Sequence, residues 1–226
     1  TADLGGSLRC GTTALRLALD TIKAGSASQA LVAAGDLRPV APGTAEEVQI
    51  GDGAGAMLVG SGDVIASFEG AYAASHDFTD VWRLQGDRYL NVLPDMTFVR
   101  AYGLDKHIGE AVEGVLKATG RKREDIAKVV LYAPDARTHA TLVRQLKLPE
   151  SAMPREPVIG RAGNTGSASC LLGLAAALEE SKPGDQILVV SYGSGAEALL
   201  FQCTDALAHA RFHRPVSAQL ALGVPL

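Results

Sequence analysis

This chain lacks the features that would mark it for a membrane, a nucleic acid or an oxidising compartment. Its longest apolar stretches, such as Leu171 to Leu178, are far too short to span a bilayer. No basic run is interleaved with aromatics, and a net charge of −4 argues against nucleic acid as the main partner, since phosphate binding needs a basic surface. Cysteine is scarce. Cys10, Cys170 and Cys203 are widely spaced, odd in number and without metal-ligand spacing, so neither a disulfide framework nor a metal site is expected. A reducing, cytoplasmic setting fits that usage. An initiator methionine and a signal peptide are missing too: Thr1-Ala2-Asp3-Leu4 reads as the tail of a strand running into a turn, and we expect a fragment or a product whose upstream part was removed.

What the chain has instead is a duplication. Ala14 to Leu19, Lys23-Ala24-Gly25, the apolar run Leu31 to Ala34 and Gly53-Ala54-Gly55-Ala56 recur as Gly173 to Leu178, Lys182-Pro183-Gly184, Ile187 to Val190 and Gly193-Ser194-Gly195-Ala196. One constant spacing pairs Leu15 with Leu174, Leu19 with Leu178 and Lys23 with Lys182, while copy one carries extra residues between its strand and its glycines. Each copy reads as a helix, a buried strand and a glycine-rich turn into another strand. Such a unit cannot cover its own apolar faces, so two of them are expected to pack into one layered α/β body.

Between these landmarks the periodicity predicts a helix capped by Thr12 or Thr13 and running to Lys23, a strand from Gln29 to Ala34, and a loop over Leu37 to Gln49. Gly60-Ser61-Gly62-Asp63 is strong turn chemistry, and predicts that Gly51 to Val59 pairs with Val64 to Glu69. An irregular stretch, Ala71 to Asp95, divides the copies. Then come a long amphipathic helix from Thr97 to Thr119, a helical turn at Lys122 to Ile126, a buried strand ending in Tyr132, a helix from Thr138 to Leu146, a loop from Arg161 to Ser169, and a sheet-closing segment from Gln186 to Gln202. We expect halves at 1–69 and 70–204, with 205–226 as an extension or linker.

Three places carry chemistry. Asp3 to Leu15 is a strand, a glycine turn and a helix N-terminus, which points backbone N–H groups at one spot and suits an anion, a thiolate or an oxyanion. Cys10 lies inside it, although a cysteine in such a place is more often a small buried residue than a nucleophile. Gly160 to Ser169 sets Asn164 among glycines, where its amide either satisfies loop backbone or donates to a substrate carbonyl. Tyr132-Ala133-Pro134-Asp135 follows a buried strand, where α/β sheets place functional groups. His76-Asp77 and Asp80 read as a solvated loop rather than metal ligands, and His139 as a helix-surface residue.

The segments DLGGSLRCGTTAL, GDGAGAMLVG, HDFTDVWR, YAPD, GNTGSAS and SYGSGAEALLF together resemble the thiolase superfamily, in its hydroxymethylglutaryl-CoA synthase and β-ketoacyl-acyl-carrier-protein (ACP) synthase III branches. The resemblance implies a layered α-β-α-β-α fold with two pseudo-symmetric βαβαβαββ halves, the first part of the N-terminal half being absent upstream of Thr1. It implies a cysteine that takes an acyl group from coenzyme A or a carrier protein, and a histidine and asparagine that polarise the next substrate. Aligned without gaps, the cysteine position falls on Leu8 and the histidine position on Tyr132, and only Asn164 agrees. Cys10 is two residues further on, and two residues turn a helical side chain by about 200°. Candidate catalytic residues are therefore Cys10, Ser7, Tyr132 and Asn164, with Leu8, Gly163, Gly193 and Gly195 lining the substrate.

The resemblance further implies a coenzyme A thioester as substrate or ligand, with no covalently bound cofactor. Acyl-CoA or an acyl-carrier protein would be the partner, and the assembly a homodimer or a heteromer with a related subunit, with Thr1 to Leu4 against the two-fold axis. Two functions follow: a condensing acyltransferase with an altered site, or a non-catalytic thioester-binding or scaffolding subunit. A nucleotide-binding role is disfavoured, because neither glycine motif has Walker-type or dinucleotide spacing.

Overall fold

The computed structural model describes residues 1–154 and 157–223. In chain order the main elements are α1 (Cys10–Lys23), β1 (Gln29–Asp36), α2 (Glu46–Gln49), β2 (Gly53–Gly60), β3 (Ala66–Ser75), β4 (Val81–Trp82), β5 (Asn91–Val92), α3 (Met96–Phe98) and α4 (Asp105–Thr119). They continue through β6 (Ile126–Leu131), α5 (Ala136–Gln145), α6 (Val158–Ala162), α7 (Ser169–Glu180), β7 (Gln186–Tyr192), β8 (Gly195–Cys203) and α8 (Val216–Leu220). A π-helical stretch, Val99–Leu104, joins α3 to α4, so the long helix expected there is one helical run with a widened turn.

Four strands form the main sheet in the order β3-β8-β7-β6, with β6 and β7 parallel and the other pairs antiparallel. β1 and β2 make a separate antiparallel pair, and β4 pairs with β5. α1 lies on β1 and β2. α7 packs beside α1, between β2 and the β6–β7 side of the main sheet. On the opposite face α4 covers β3, β8 and β7. Its Ile108, Ala111, Val112 and Val115, spaced at three and four residues, are fully buried there together with Ile187, Leu188, Leu199 and Leu200 of the sheet. Each of the valine, leucine and isoleucine side chains contributes about 1.5–3 kcal/mol by leaving water, which places most of the core in the second half.

The duplication holds down to strand register. Ala33 faces Ala56 and Leu31 faces Leu58 in the first pair. At the corresponding positions Tyr192 faces Ala196 and Val190 faces Ala198 in the second. Burial separates the copies: Val190 and Ala198 are fully buried, whereas Leu31 and Leu58 are 72% and 68% exposed.

Several expectations are corrected. β2 and β3 do not pair across Gly60 to Asp63: β2 takes β1 and β3 takes β8, so that turn passes the chain between sheets. Ala71 to Ser75 is not irregular but the end of β3. The stretch after Asp36 contains α2. α1 begins at Cys10, ahead of both threonines, and Thr12 Oγ1 instead bonds Arg9 O (2.9 Å) and Ser191 Oγ (2.6 Å). Thr1 to Leu4 forms no strand. After Thr204 the chain folds back, with Leu207 and Val216 buried and α8 capped by Glu179.

Candidate functional site

Tyr132 extends the parallel ladder one residue beyond β6, its N–H donating to Val190 O at 2.9 Å, and it is 5% exposed. Asn164 reaches the same place from the loop after α6. Its N–H donates to Gln49 O (2.7 Å) and its carbonyl accepts from Gly51 N–H (3.2 Å), so the stretch following β1 clamps its backbone. The two side chains meet: Asn164 Nδ2 donates to the Tyr132 hydroxyl at 3.1 Å.

The amide oxygen is held from the other side. Asn164 Oδ1 accepts from Gly166 N–H (2.9 Å) and from Arg38 Nη2 (2.9 Å), and the same Arg38 nitrogen bonds the Asn164 carbonyl. Gly166 has φ +58°, a left-handed conformation that glycine adopts without strain, and a Cβ there would overlap the Asp36 carboxylate. Asp36 Oδ2 lies 3.6 Å from Arg38 Nε and accepts from Ser167 N–H at 3.0 Å. Arg38, Asp80, Tyr132 and Asn164 line one cavity of about 150 Å³, walled by apolar residues such as Ile50, Val99 and Leu104.

Burial pushes the Tyr132 hydroxyl up to about 12, with Arg38 and the Asn164 bond pulling the other way. At neutral pH it is a hydrogen-bond donor and acceptor, not a base. Burial also raises the Asp80 carboxyl. The cavity thus offers a phenol and an amide as neutral hydrogen-bonding groups beside a buried guanidinium. That set can hold and polarise a carbonyl oxygen.

The Ser7–Cys10 turn stands apart. Cys10 faces a separate groove lined by Thr1 to Leu4, part of α1 and Ala30 to Gly35 of β1, apart from the cavity that Tyr132 and Asn164 line. The helix geometry is the reason, since the first residue of α1 turns its side chain toward β1. Ser7 Oγ donates to Gly193 O (2.9 Å), a carbonyl that cannot take its proton, and accepts from Arg9 N–H (3.3 Å). Leu8 packs against the core. Gly193 sits against Ser7 and the Leu8 amide, Gly195 against the Ala74 carbonyl, and Gly163 beside a small cavity that Tyr132 and His139 share. Among the described residues no cluster of histidine, cysteine, aspartate or glutamate could hold a metal ion.

Two readings of single residues change. His139 is not on a helix surface but buried, and that burial lowers its pKa. His76 pairs with Glu110 (2.9 Å) and stacks on buried His107 at 4.0 Å. Sequence reasoning missed Asp36 and Arg38, and it read Asp80, which lines the cavity, as part of a solvated loop. The signal for Asp36 was its place: it ends β1, as Tyr132 continues β6, at the strand-end position where α/β sheets put functional groups.

Comparisons with known proteins agree with this architecture. The family described as 3-Oxoacyl-[acyl-carrier-protein (ACP)] synthase III C terminal matches residues 116–202. Hydroxymethylglutaryl-CoA synthase of Methanopyrus kandleri is 32% identical over 217 residues, covering 95% of this chain and 61% of the relative. A crystal structure of hydroxymethylglutaryl-CoA synthase complexed with CoA superposes with a TM-score of 0.79 at 22% identity, over 96% of this chain and 60% of that one. The ketoacyl synthase III of Thermus thermophilus superposes with a TM-score of 0.76 at 22% identity, over 89% and 67%. The fold is the thiolase-like layered α/β fold. The chain is a thiolase-like protein of the hydroxymethylglutaryl-CoA synthase and 3-oxoacyl-ACP synthase III type, and it spans about three-fifths of the length of the curated relatives it matches.

Proposed function

We propose that the protein handles acyl thioesters of coenzyme A or of an acyl-carrier protein at the Tyr132–Asn164 cavity, and that acyl transfer by cysteine, histidine and asparagine is absent or strongly reduced. The observation that carries this is the 3.1 Å bond between Asn164 Nδ2 and a buried, protonated Tyr132 hydroxyl. In the implied mechanism a histidine would stand where Tyr132 stands and a thiolate where Leu8 stands. Leucine has no nucleophile, and losing one costs several orders of magnitude in rate. The phenol and amide retain the ability to donate to a thioester carbonyl, and donors of that kind contribute roughly 10²–10³ in rate where chemistry still occurs.

The test is carbonyl recognition. Tyr132→Phe removes one donor and leaves the cavity's shape, so calorimetry should show weaker acetyl-CoA binding by about 1 kcal/mol and unchanged affinity for free CoA. Equal binding of acetyl-CoA by Tyr132→Phe and the native protein would refute the assignment. The non-catalytic alternative shares this cavity and differs in what happens next. The assembly that fits is a homodimer or a heteromer with a related subunit, because Leu31 and Leu58 leave an apolar face on β1–β2.

A further inference from the structure

We propose that Arg38 is a positioning residue that sets the direction of the hydrogen-bond chain through the cavity: Arg38 donates to Asn164, Asn164 to Tyr132, and Tyr132 to the ligand. The proposal rests on the reading that a carbonyl oxygen occupies this cavity. It goes beyond that reading by naming what decides whether the cavity can serve one.

An asparagine amide has two orientations that differ by exchange of its oxygen and nitrogen. In the observed one Oδ1 accepts from Arg38 Nη2 (2.9 Å) and Gly166 N–H (2.9 Å), and Nδ2 points at the Tyr132 hydroxyl (3.1 Å). Tyr132 therefore accepts from Asn164 and keeps its own proton free for the cavity. Exchanging the two atoms would face an NH₂ group with a guanidinium and a backbone N–H, two donors against a donor. It would also present Oδ1 to Tyr132, whose O–H would then donate to the asparagine and be lost to any ligand.

The two orientations thus correspond to a carbonyl-binding site and a self-satisfied one. Gly166 N–H favours the first, but a buried cation is the stronger selector, because hydrogen bonds to charged groups are roughly twice as strong as neutral ones. Arg38 is fixed for this task. Its side chain is 6% exposed, it holds the Asn164 carbonyl as well as the amide, and Asp36 lies 3.6 Å from its Nε. The same cation lowers the Tyr132 pKa against burial, which makes the phenol a better donor.

Two substitutions reverse the chain by different routes. Arg38→Met removes the cation and lets the amide turn. Asn164→Asp keeps Arg38 and the shape but replaces the donor by an acceptor to which the Tyr132 O–H donates. The readouts are the side-chain amide ¹H–¹⁵N cross-peaks of Asn164, assigned by their loss in Asn164→Asp, and the ratio of acetyl-CoA to free CoA affinity.

The expected result is displaced cross-peaks in Arg38→Met, and a loss of thioester discrimination of about tenfold in both variants. Arg38→Lys, which keeps the charge, should hold the cross-peaks near their native positions and restore most of the discrimination. Unmoved cross-peaks in folded Arg38→Met would overturn the proposal. If that variant does not fold, full discrimination retained in Asn164→Asp overturns it instead. A native protein that binds acetyl-CoA and CoA equally refutes the proposed function, and the cross-peaks still decide the role of Arg38.

Discussion

Replacing Gly11 by alanine sets helix propensity against packing. Gly11 lies in the first turn of α1, where alanine should stabilise an isolated helix by about 1 kcal/mol. A Cβ at this position would lie 2.3 Å from the Ser167 carbonyl oxygen and 3.2 Å from Ala34 Cβ. The backbone of Ser167 cannot simply rotate away, because its N–H is held by Asp36 Oδ2 at 3.0 Å and its hydroxyl by Gly35 O at 3.4 Å. Overpacking of this kind costs about 1–3 kcal/mol, and disturbing the Ser167 bonds adds about 1 kcal/mol. The net expectation is a destabilisation of about 2 kcal/mol, or a Tm lower by roughly 4–8 °C.

Urea unfolding measures it as a lower midpoint at unchanged slope. Gly109→Ala on α4 is the control. Nothing lies within 4 Å of a Cβ there, so propensity acts alone and the variant should gain up to about 1 kcal/mol. If Gly11→Ala is as stable as the native protein, or more so, the close approach of α1 to the Ser167 loop is wrong. Because Ser167 continues the Asn164 loop, a destabilised Gly11→Ala should also bind thioester more weakly.

Two more outcomes follow from burial. His107 and His139 have folded pKa values lowered, chiefly by burial, so the unfolded chain takes up their protons first, and stability should fall as pH drops below about 6.5. The raised Asp80 and Glu197 carboxyls act oppositely, adding stability as pH falls from their raised values toward about 4, so the histidine effect is read by comparing native protein with His139→Leu between pH 7 and 5.5. The variant should lose less stability over that range, and an identical pH profile would refute the assignment. Light scattering at micromolar concentration should show a dimer or larger species, and a monomer would contradict the cover expected over Leu31 and Leu58.

What could be read from the residues was whatever local spacing decides. The paired Leu15/Leu174 and Lys23/Lys182 positions foretold two helix–strand–strand units, and the register of Leu31 with Leu58 and Val190 with Ala198 confirms them. Pairing across Gly60 to Asp63 failed because turn chemistry says only that the chain reverses, whereas the burial of β8 decides which strand β3 joins. His139 failed for a related reason: the buried face of α5 carries Thr138 and His139 beside Leu142 and Val143, and a histidine among polar neighbours in sequence does not announce that burial. Tyr132 and Asn164 were legible as a strand end and a glycine loop. Arg38 was not, since a single arginine beside a proline carries no spacing, and its role arises only when Asn164 is folded against it.

The central proposal is that this cavity holds a thioester without the cysteine chemistry that the sequence resemblance implies, and covalent capture tests it most directly. The native protein is incubated with acetyl-CoA, its intact mass measured, and its peptides mapped. The account predicts no covalent adduct while acetyl-CoA still binds reversibly. Robust acylation of Cys10, abolished by Cys10→Ala, would contradict it.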